Sequence, residues 1–279
     1  MSIPVNTIAG KTDSGIALAR ETFVKTRVFE ELPEAHRDDY HLFLLQEEGR
    51  SEMKIDFQVY TIEAPSIMCI HPNQVHHLGP FYPGKVSFLI MSNESILTEH
   101  LNVLEGITPL KPLSVDKGSL ILLQDTVSLC LRVYARSENK MYHSLVKGSC
   151  NLLVGLFISQ YLAHVTPYDK ISRSELISRS FKTLLDQHFV SAKRPADYAQ
   201  LLNISTTYLY ECVKETTGFS VSYHIEQRVI LEAKRLLYYS DRSVKEIAAD
   251  LGFHDYPYFS RLFSKVTGMT AITFRKKNP

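Results

Sequence analysis

This chain of 279 residues has few cysteines, no long hydrophobic run and a net charge of only +1. Cys69, Cys130, Cys150 and Cys212 are scattered without a Cys-x-x-Cys pair, so neither a zinc motif nor a dithiol redox couple is suggested, and buried free thiols are expected. The longest nearly uninterrupted apolar stretches, such as Leu152 to Ile158, fall far short of the ~20 residues that span a bilayer. Met1 to Gly10 lacks the basic segment followed by an apolar one that marks a secretory signal. A cytoplasmic protein with no membrane partner is the expectation. Catalytic signatures are missing too: there is no Gly-x-Ser-x-Gly elbow, no His-Glu-x-x-His and no dinucleotide-binding glycine fingerprint. Gly10-Lys11-Thr12 imitates the end of a phosphate-binding loop, but Val5 stands where the first glycine is needed. No enzymatic activity and no cofactor are expected.

What is present divides the chain in two. Its length is comfortable for two domains, and 44% hydrophobic against 22% charged residues is the balance of an ordinary globular protein. The near-zero net charge hides an asymmetry. Residues 170 to 279 hold 17 Lys/Arg against 11 Asp/Glu, whereas residues 1 to 169 hold 14 against 19. A basic half supplies the sequence-independent, salt-sensitive part of DNA affinity through counterion release.

That basic half contains a duplication. Tyr198-Ala199-Gln200-Leu201-Leu202-Asn203-Ile204 is echoed by Ile247-Ala248-Ala249-Asp250-Leu251-Gly252-Phe253, and each run continues through an aromatic-rich stretch to Thr217-Gly218 or Thr267-Gly268. The alanines are 49 residues apart and the closing glycines 50. A helix-turn-helix demands a small residue where its helices cross, met by Ala199 and Ala248, and a turn residue that accepts positive φ, met by Asn203 and Gly252. Ser205 or Thr206, and Asp255, stand where N-caps are wanted. Leu209 and Val213, then Phe259, Leu262 and Phe263, mark the inward faces of the two reading helices.

The outward positions are the candidate DNA contacts: Thr206, Thr207, Tyr210, Glu211 and Lys214 in the first unit, and Asp255, Tyr256, Ser260, Arg261 and Lys265 in the second. Arg261 is the candidate for base readout, because a guanidinium can bond both O6 and N7 of a guanine; a phosphate clamp or an internal ion pair is its structural alternative. Lys214 and Lys265 suit phosphate, which positions without reading sequence. Val221 to Tyr239, free of Pro and Gly, predicts a linking helix rising about 30 Å, close to the ~34 Å between successive major-groove faces.

Residues 172 to 277 resemble the DNA-binding domain of the AraC/XylS family of bacterial transcription regulators. The resemblance is carried by Tyr223, Arg228, Ala233, Leu236 and Leu237 on the linking helix, then by Val244, Ile247, Ala248, Leu251, Gly252, Phe253, Tyr258, Phe259, Arg261, Phe263, Gly268, Thr270 and Arg275. Two departures stand out: Tyr256-Pro257 where the family usually has Gln-Ser, and Ala271 where it has Pro. A proline in the first turn of a helix is tolerated.

In the N-terminal half, His41-Leu42-Phe43-Leu44-Leu45 and Ile55 to Ile62 are strand-like, punctuated by Gly49, Pro65, Pro72-Asn73 and Pro83-Gly84, which argues an all-β barrel or sandwich. The order of His36, a strand, Glu48-Gly49, a strand, Pro65 and Ile70 to His76 resembles the cupin-like sensor domain of the same family. That resemblance implies a jelly-roll cavity for a small ligand, with His36, Phe43, Phe57, His71 and His76 as its expected lining. A metal cupin would show His-x-His, which this chain lacks, so hydrogen-bonded histidines rather than a metal are expected. Residues 116 to 164 return to helical spacing, with Leu120, Leu123, Val127, Cys130 and Tyr134 on one helix and Leu145, Leu152 and Leu156, a core-type stripe, on a second. The family layout implies that the helices beside the barrel form a homodimer interface, with Leu120, Leu123, Val127, Cys130 and Tyr134 as its candidate residues.

The expected fold is α+β and multidomain: a cupin-like β-barrel over 1–112, a helical hairpin over 113–168, and an all-α DNA-binding domain over 169–279 with helix-turn-helix units about 194–217 and 243–267. The expected function is a ligand-responsive, sequence-specific transcription regulator of the activator type, with promoter DNA, a small-molecule effector, RNA polymerase and a second copy of the chain as partners. Val165 to Ser172 is where the two halves would be coupled. The competing readings are a cupin-type metalloenzyme carrying a DNA-binding appendage, and a ligand-free regulator controlled by a protein.

Overall fold

A computed structural model describes residues 4–8, 12, 14–28, 35–107, 111–164 and 172–277. The chain divides into two compact units, one over Pro4–Tyr168 and one over Asp169–Pro279. Most of Val165 to Ser172 lies outside the described residues.

The first unit contains β1 (Val5–Asn6), β2 (Ile16–Phe23), β3 (Arg37–Asp38), β4 (His41–Glu48), β5 (Arg50–Ile55), β6 (Gln58–Glu63), β7 (Ser66–Ile70), β8 (His76–Phe81), β9 (Gly84–Met91), α1 (Thr98–Gly106), β10 (Leu113–Ser114), α2 (Lys117–Tyr134) and α3 (Tyr142–His164). The strands form a five-stranded sheet in the order β10-β7-β4-β9-β2, a three-stranded sheet in the order β6-β5-β8, and the parallel pair β1-β3. Among the described residues these sheets do not close into a barrel, which corrects the expected barrel. Side chains rather than hydrogen bonds join the two larger sheets. Phe23, Leu42, Leu44, Met53, Ile55, Ile62, Met68, Ile70, Phe81 and Val86 come from both and fill the space between.

The other face of the five-stranded sheet carries the helices. Phe43, Leu45, Ile67 and Leu89 pack with Leu104 of α1, with Leu123, Val127 and Cys130 of α2, and with Val146, Leu153, Val154 and Phe157 of α3. β4 is therefore buried on both faces, and its side chains alternate between two cores. A strand in that position reads as a continuous apolar run. The same core joins the segments 1–112 and 113–168. Arg20 of β2 adds a polar tie: it donates to Glu47 at 2.8 Å, to Ser128 Oγ at 2.9 Å and to the Gln124 carbonyl at 3.0 Å, which fastens α2 to the sheet.

The packing of α2 and α3 overturns two expectations. Leu123, Val127 and Cys130 are buried within their own unit, with Leu120 and Tyr134 partly buried against the same core, so this face meets α3 and the sheet rather than a partner. On α3 the stripe of Leu145 and Leu152 points outward, at 46% and 53% exposure, with Leu156 only partly buried. The inward stripe is Val146, Cys150, Leu153, Val154, Phe157, Ile158 and Tyr161. By length and composition α3 is also apolar enough to cross a membrane, which no short run reveals; its buried face belongs to the core just described.

The second unit is helical: α4 (Arg173–His188), α5 (Pro195–Leu201), α6 (Thr206–Thr217), α7 (Val221–Tyr239), α8 (Val244–Asp250), α9 (Tyr256–Thr267) and α10 (Ala271–Lys277). Phe181, Tyr198, Ala199, Leu209, Val213, Val221 and Ile225 form the core around α5 and α6. Rings of Phe253, Phe259, Phe263 and Phe274 form a chain of contacts between α8 and α10.

Candidate nucleic-acid interface

The two helix-turn-helix units are built by the same local rules. After α5, the Ile204 N–H donates to the Ala199 carbonyl at 3.0 Å and the Asn203 N–H to Gln200; after α8, the Phe253 N–H donates to Ala248 at 2.9 Å and the Gly252 N–H to Ala249. These paired bonds satisfy carbonyls that a helix end leaves without partners, and they require positive φ at the turn residue. Asn203 has φ 54° and Gly252 has φ 78°. Ala199 and Ala248, 2% and 1% exposed, are the close crossing points.

Each reading helix is then capped at both ends. The Ser205 hydroxyl accepts from the Tyr208 N–H at 3.1 Å, which makes Ser205 rather than Thr206 the cap of α6; the Asp255 carboxylate accepts from the Tyr258 N–H at 3.2 Å. Gly218 and Gly268 close the helices in the left-handed region at φ 77° and 74°. Leu209, Val213, Phe259, Leu262 and Phe263 face inward, as their spacing predicts.

The opposite faces differ in chemistry. Thr206, Thr207, Tyr210, Glu211 and Lys214 are all exposed on α6, with the Lys214 ammonium 5.3 Å from the Tyr210 ring centroid. On α9, Arg261 and Lys265 are exposed, and Tyr256 and Ser260 are half-buried. Lys265 donates to both oxygens of Glu226 at 3.0 and 2.9 Å, so its charge is already shared with α7. Asp255 is exposed, but its carboxylate is committed to the cap. Tyr258, half-exposed at the start of α9, was not among the candidate contacts.

α7 holds the units together. It spans 19 residues, a rise of roughly 28 Å. Within it Arg235 pairs with Glu232 at 3.2 Å, both almost fully buried, and Arg228 links Glu232 at 3.3 Å to Asp186 of α4 at 2.5 Å. Arg275 of α10 donates to the Leu237 carbonyl at 3.1 Å. Beside the second turn, burial pushes the Lys193 ammonium down to about 8, and that group lies 4.9 Å from the Phe253 ring centroid.

A family model described as a helix-turn-helix domain matches residues 198–277. The chain is 21% identical to the transcriptional activator RhaS of Enterobacter sp. (strain 638), over 84% of this chain and 86% of that protein. It is 20% identical to the transcriptional activator RhaR of Mannheimia succiniciproducens, over 87% of each. Among solved structures, the C-terminal domain of the response regulator AraT from Geobacillus stearothermophilus is similar at 26% identity, over 39% of this chain and 88% of that one, with a TM-score of 0.36. Residues 198–277 of the C-terminal unit are a helix-turn-helix domain. The chain is accordingly a DNA-binding transcription regulator.

The helix-turn-helix domain accommodates both departures noted in the sequence. Pro257 falls in the first turn of α9, where its missing N–H costs nothing, and the Asp255 cap remains in place. Ala271 opens α10 while the Thr270 hydroxyl accepts from the Thr273 N–H at 3.1 Å, so this helix starts without the usual proline.

In the first unit the five expected ligand-lining residues fall into separate groups of contacts. Phe43 and His71 associate with His41, whose ring contacts both, and Phe43 packs on Phe157 of α3. Burial, reinforced by the nearby His71, pushes His41 down to about 3 and keeps it neutral. Phe57, with φ 74° beside Asp56 at φ 44°, occupies the two-residue turn between β5 and β6. His36 and His76 pair separately, their ring centroids 4.4 Å apart, together with Asp38. Asp38 was missed, although His36-x-Asp38 on an extended segment places both side chains on one face. An open groove of about 560 Å³ lies elsewhere, along α1 and α3, lined by Leu97, His100, Lys147, Asn151, Leu152 and Leu156.

Proposed function

We propose that this chain is a cytoplasmic, ligand-responsive transcriptional activator that binds promoter DNA with both helix-turn-helix units and acts as a homodimer. The observation that carries the proposal is the pair of capped reading helices, α6 and α9, each with a buried inner face and a polar outer one, joined by a helix about as long as one turn of B-DNA. Arg261 reads a base, Lys214 and Lys265 hold phosphate, and the unequal outer faces select an asymmetric site. The match to two named activators over most of the chain supports the activator reading, with RNA polymerase as the further partner.

The first unit is assigned the effector and the partner chain. Its two facing sheets keep the layering of a cupin-like sensor, and an effector acts by binding one arrangement of the protein more tightly than another. For the homodimer, the outward apolar side chains of α2 replace the buried ones first expected: Ile121, Leu122 and Leu129 are 50%, 53% and 41% exposed. Such a face is stabilised by self-association.

The deciding experiment uses a duplex selected by the protein from a random-sequence pool. Arg261→Ala is expected to weaken binding by about 1–3 kcal/mol and to relax preference at one base position. Unchanged affinity would remove the readout role. In sedimentation, the chain is expected to be dimeric at micromolar concentration and Ile121→Glu with Leu129→Glu to be monomeric. A wild type that stays monomeric with and without DNA rejects the dimer.

A further inference from the structure

Three side chains of metal-ligand type meet in the interior of the first unit. His36, Asp38 and His76 are 4%, 3% and 2% exposed, and their donor atoms lie within 4.8 Å of one another. Two backbone hydrogen bonds join His36 to His76, at 3.1 and 3.0 Å, so residues separated in the chain by β3 to β7 are locked side by side. One Asp38 oxygen lies 3.2 Å from His76 Nε2, and the other lies 3.7 Å from His36 Nε2.

The orientation of His76 restricts what can stand between these groups. Its Nδ1 is 3.1 Å from the Gln74 carbonyl oxygen, a contact that only an N–H can make favourably. Nδ1 therefore carries a proton, and a neutral His76 ring turns the bare lone pair of Nε2 toward a carboxylate oxygen. Two acceptors in a buried site repel, so positive charge is required at that point: a second proton on the ring, or a cation held by both groups. His36 favours the cation. Its Nε2 faces the other oxygen of the same carboxylate at 3.7 Å, so a third atom of metal-ligand type converges on that point.

We propose that His36, Asp38 and His76 form a binding site for one divalent transition-metal ion, with zinc the best chemical match. Ligand atoms about 2.0–2.2 Å from zinc in tetrahedral geometry lie about 3.3–3.6 Å from each other; the separations of 3.2 and 3.7 Å to the two Asp38 oxygens are near that, and one donor atom from each residue already falls within 4.8 Å of the others. The surrounding groups match what a metal site requires. The Gln74 carbonyl fixes the His76 ring, while Tyr40 and Asn6 Nδ2, the latter at 3.3 Å, donate to the Asp38 carboxylate. Imidazole and carboxylate together suit zinc and neighbouring first-row ions rather than calcium or magnesium. The ion would staple the short β1-β3 pair to β8 of the three-stranded sheet, two pieces that belong to different sheets.

The test uses the full chain, stripped with a chelator, equilibrated with Zn²⁺ and passed through a desalting column. About one zinc per chain is expected to remain, measured by elemental analysis, and to raise the thermal unfolding midpoint above that of the stripped protein. With Co²⁺ instead, visible d–d bands are expected without the near-ultraviolet thiolate charge-transfer band that cysteine ligands would produce. Asp38→Asn and His76→Gln are each expected to lower metal affinity more than tenfold and to unfold at a midpoint independent of zinc. If one variant does not fold, the other and the wild-type cobalt spectrum carry the decision. No retained metal, a thiolate band, or Asp38→Asn binding zinc as tightly as wild type would overturn the proposal and leave an ion pair held by a proton.

Discussion

The two helix-turn-helix units share a frame and differ in what the frame touches. Both use the same backbone bonds after the first helix, the same class of cap before the second and a left-handed glycine behind it. Asn203 fills the first turn in open surroundings, exposed to solvent. Gly252 fills the second beneath the loop that follows α4, where an added Cβ would stand 2.3 Å from the Val190 carbonyl oxygen. The same backbone angle is thus a local requirement in one unit and also a contact requirement in the other. Duplication preserved the turn and gave its second copy an additional neighbour.

Exchanging the turn residues tests that difference most severely. Gly252→Asn keeps a residue that tolerates positive φ, yet it is expected to lose about 2–3 kcal/mol of stability because backbone would have to move; Asn203→Gly should change stability by less than about 0.5 kcal/mol. Equal costs in denaturant unfolding would erase the distinction. The caps should behave alike instead: Ser205→Ala and Asp255→Ala are each expected to cost about 1 kcal/mol, read by the same unfolding curves. A large inequality would mean that one carries more than a cap. The smallest effect separates the lysines. Lys214→Gln should reduce the slope of log affinity against log salt by about one, and Lys265→Gln by less, because Lys265 is already paired with Glu226.

The C-terminal frame was legible because each of its parts has a local cause. A small residue at the crossing, a turn residue suited to positive φ, a hydroxyl or carboxylate cap and an inward stripe all lie within about twenty residues of one another. The faces of α2 and α3 were not legible in the same way. Helical spacing shows that Leu123, Val127 and Cys130 share a face, but not whether that face meets a core or a partner. α3 is apolar on several sides, so Leu145, Leu152 and Leu156 formed as regular a stripe as the residues that are buried. The barrel expectation failed on pairing, since a strand's sequence does not disclose which edge it joins. At the His36 cluster, a search for His-x-His passed over His-x-Asp, and the third member comes from a strand nearly forty residues further along the chain.

α7 gives these observations a further consequence. Helix geometry adds about 1.5 Å and about 100° of rotation for every residue inserted. Its buried Arg235–Glu232 pair and its ties to α4 and α10 oppose bending that might absorb such a change. On the proposed reading the helix acts as a ruler with a fixed phase, and the spacing and facing of two sequence elements in a promoter are written into its length. On that reading a promoter can exchange bases under either reader one at a time, but the interval between them can change only together with this helix.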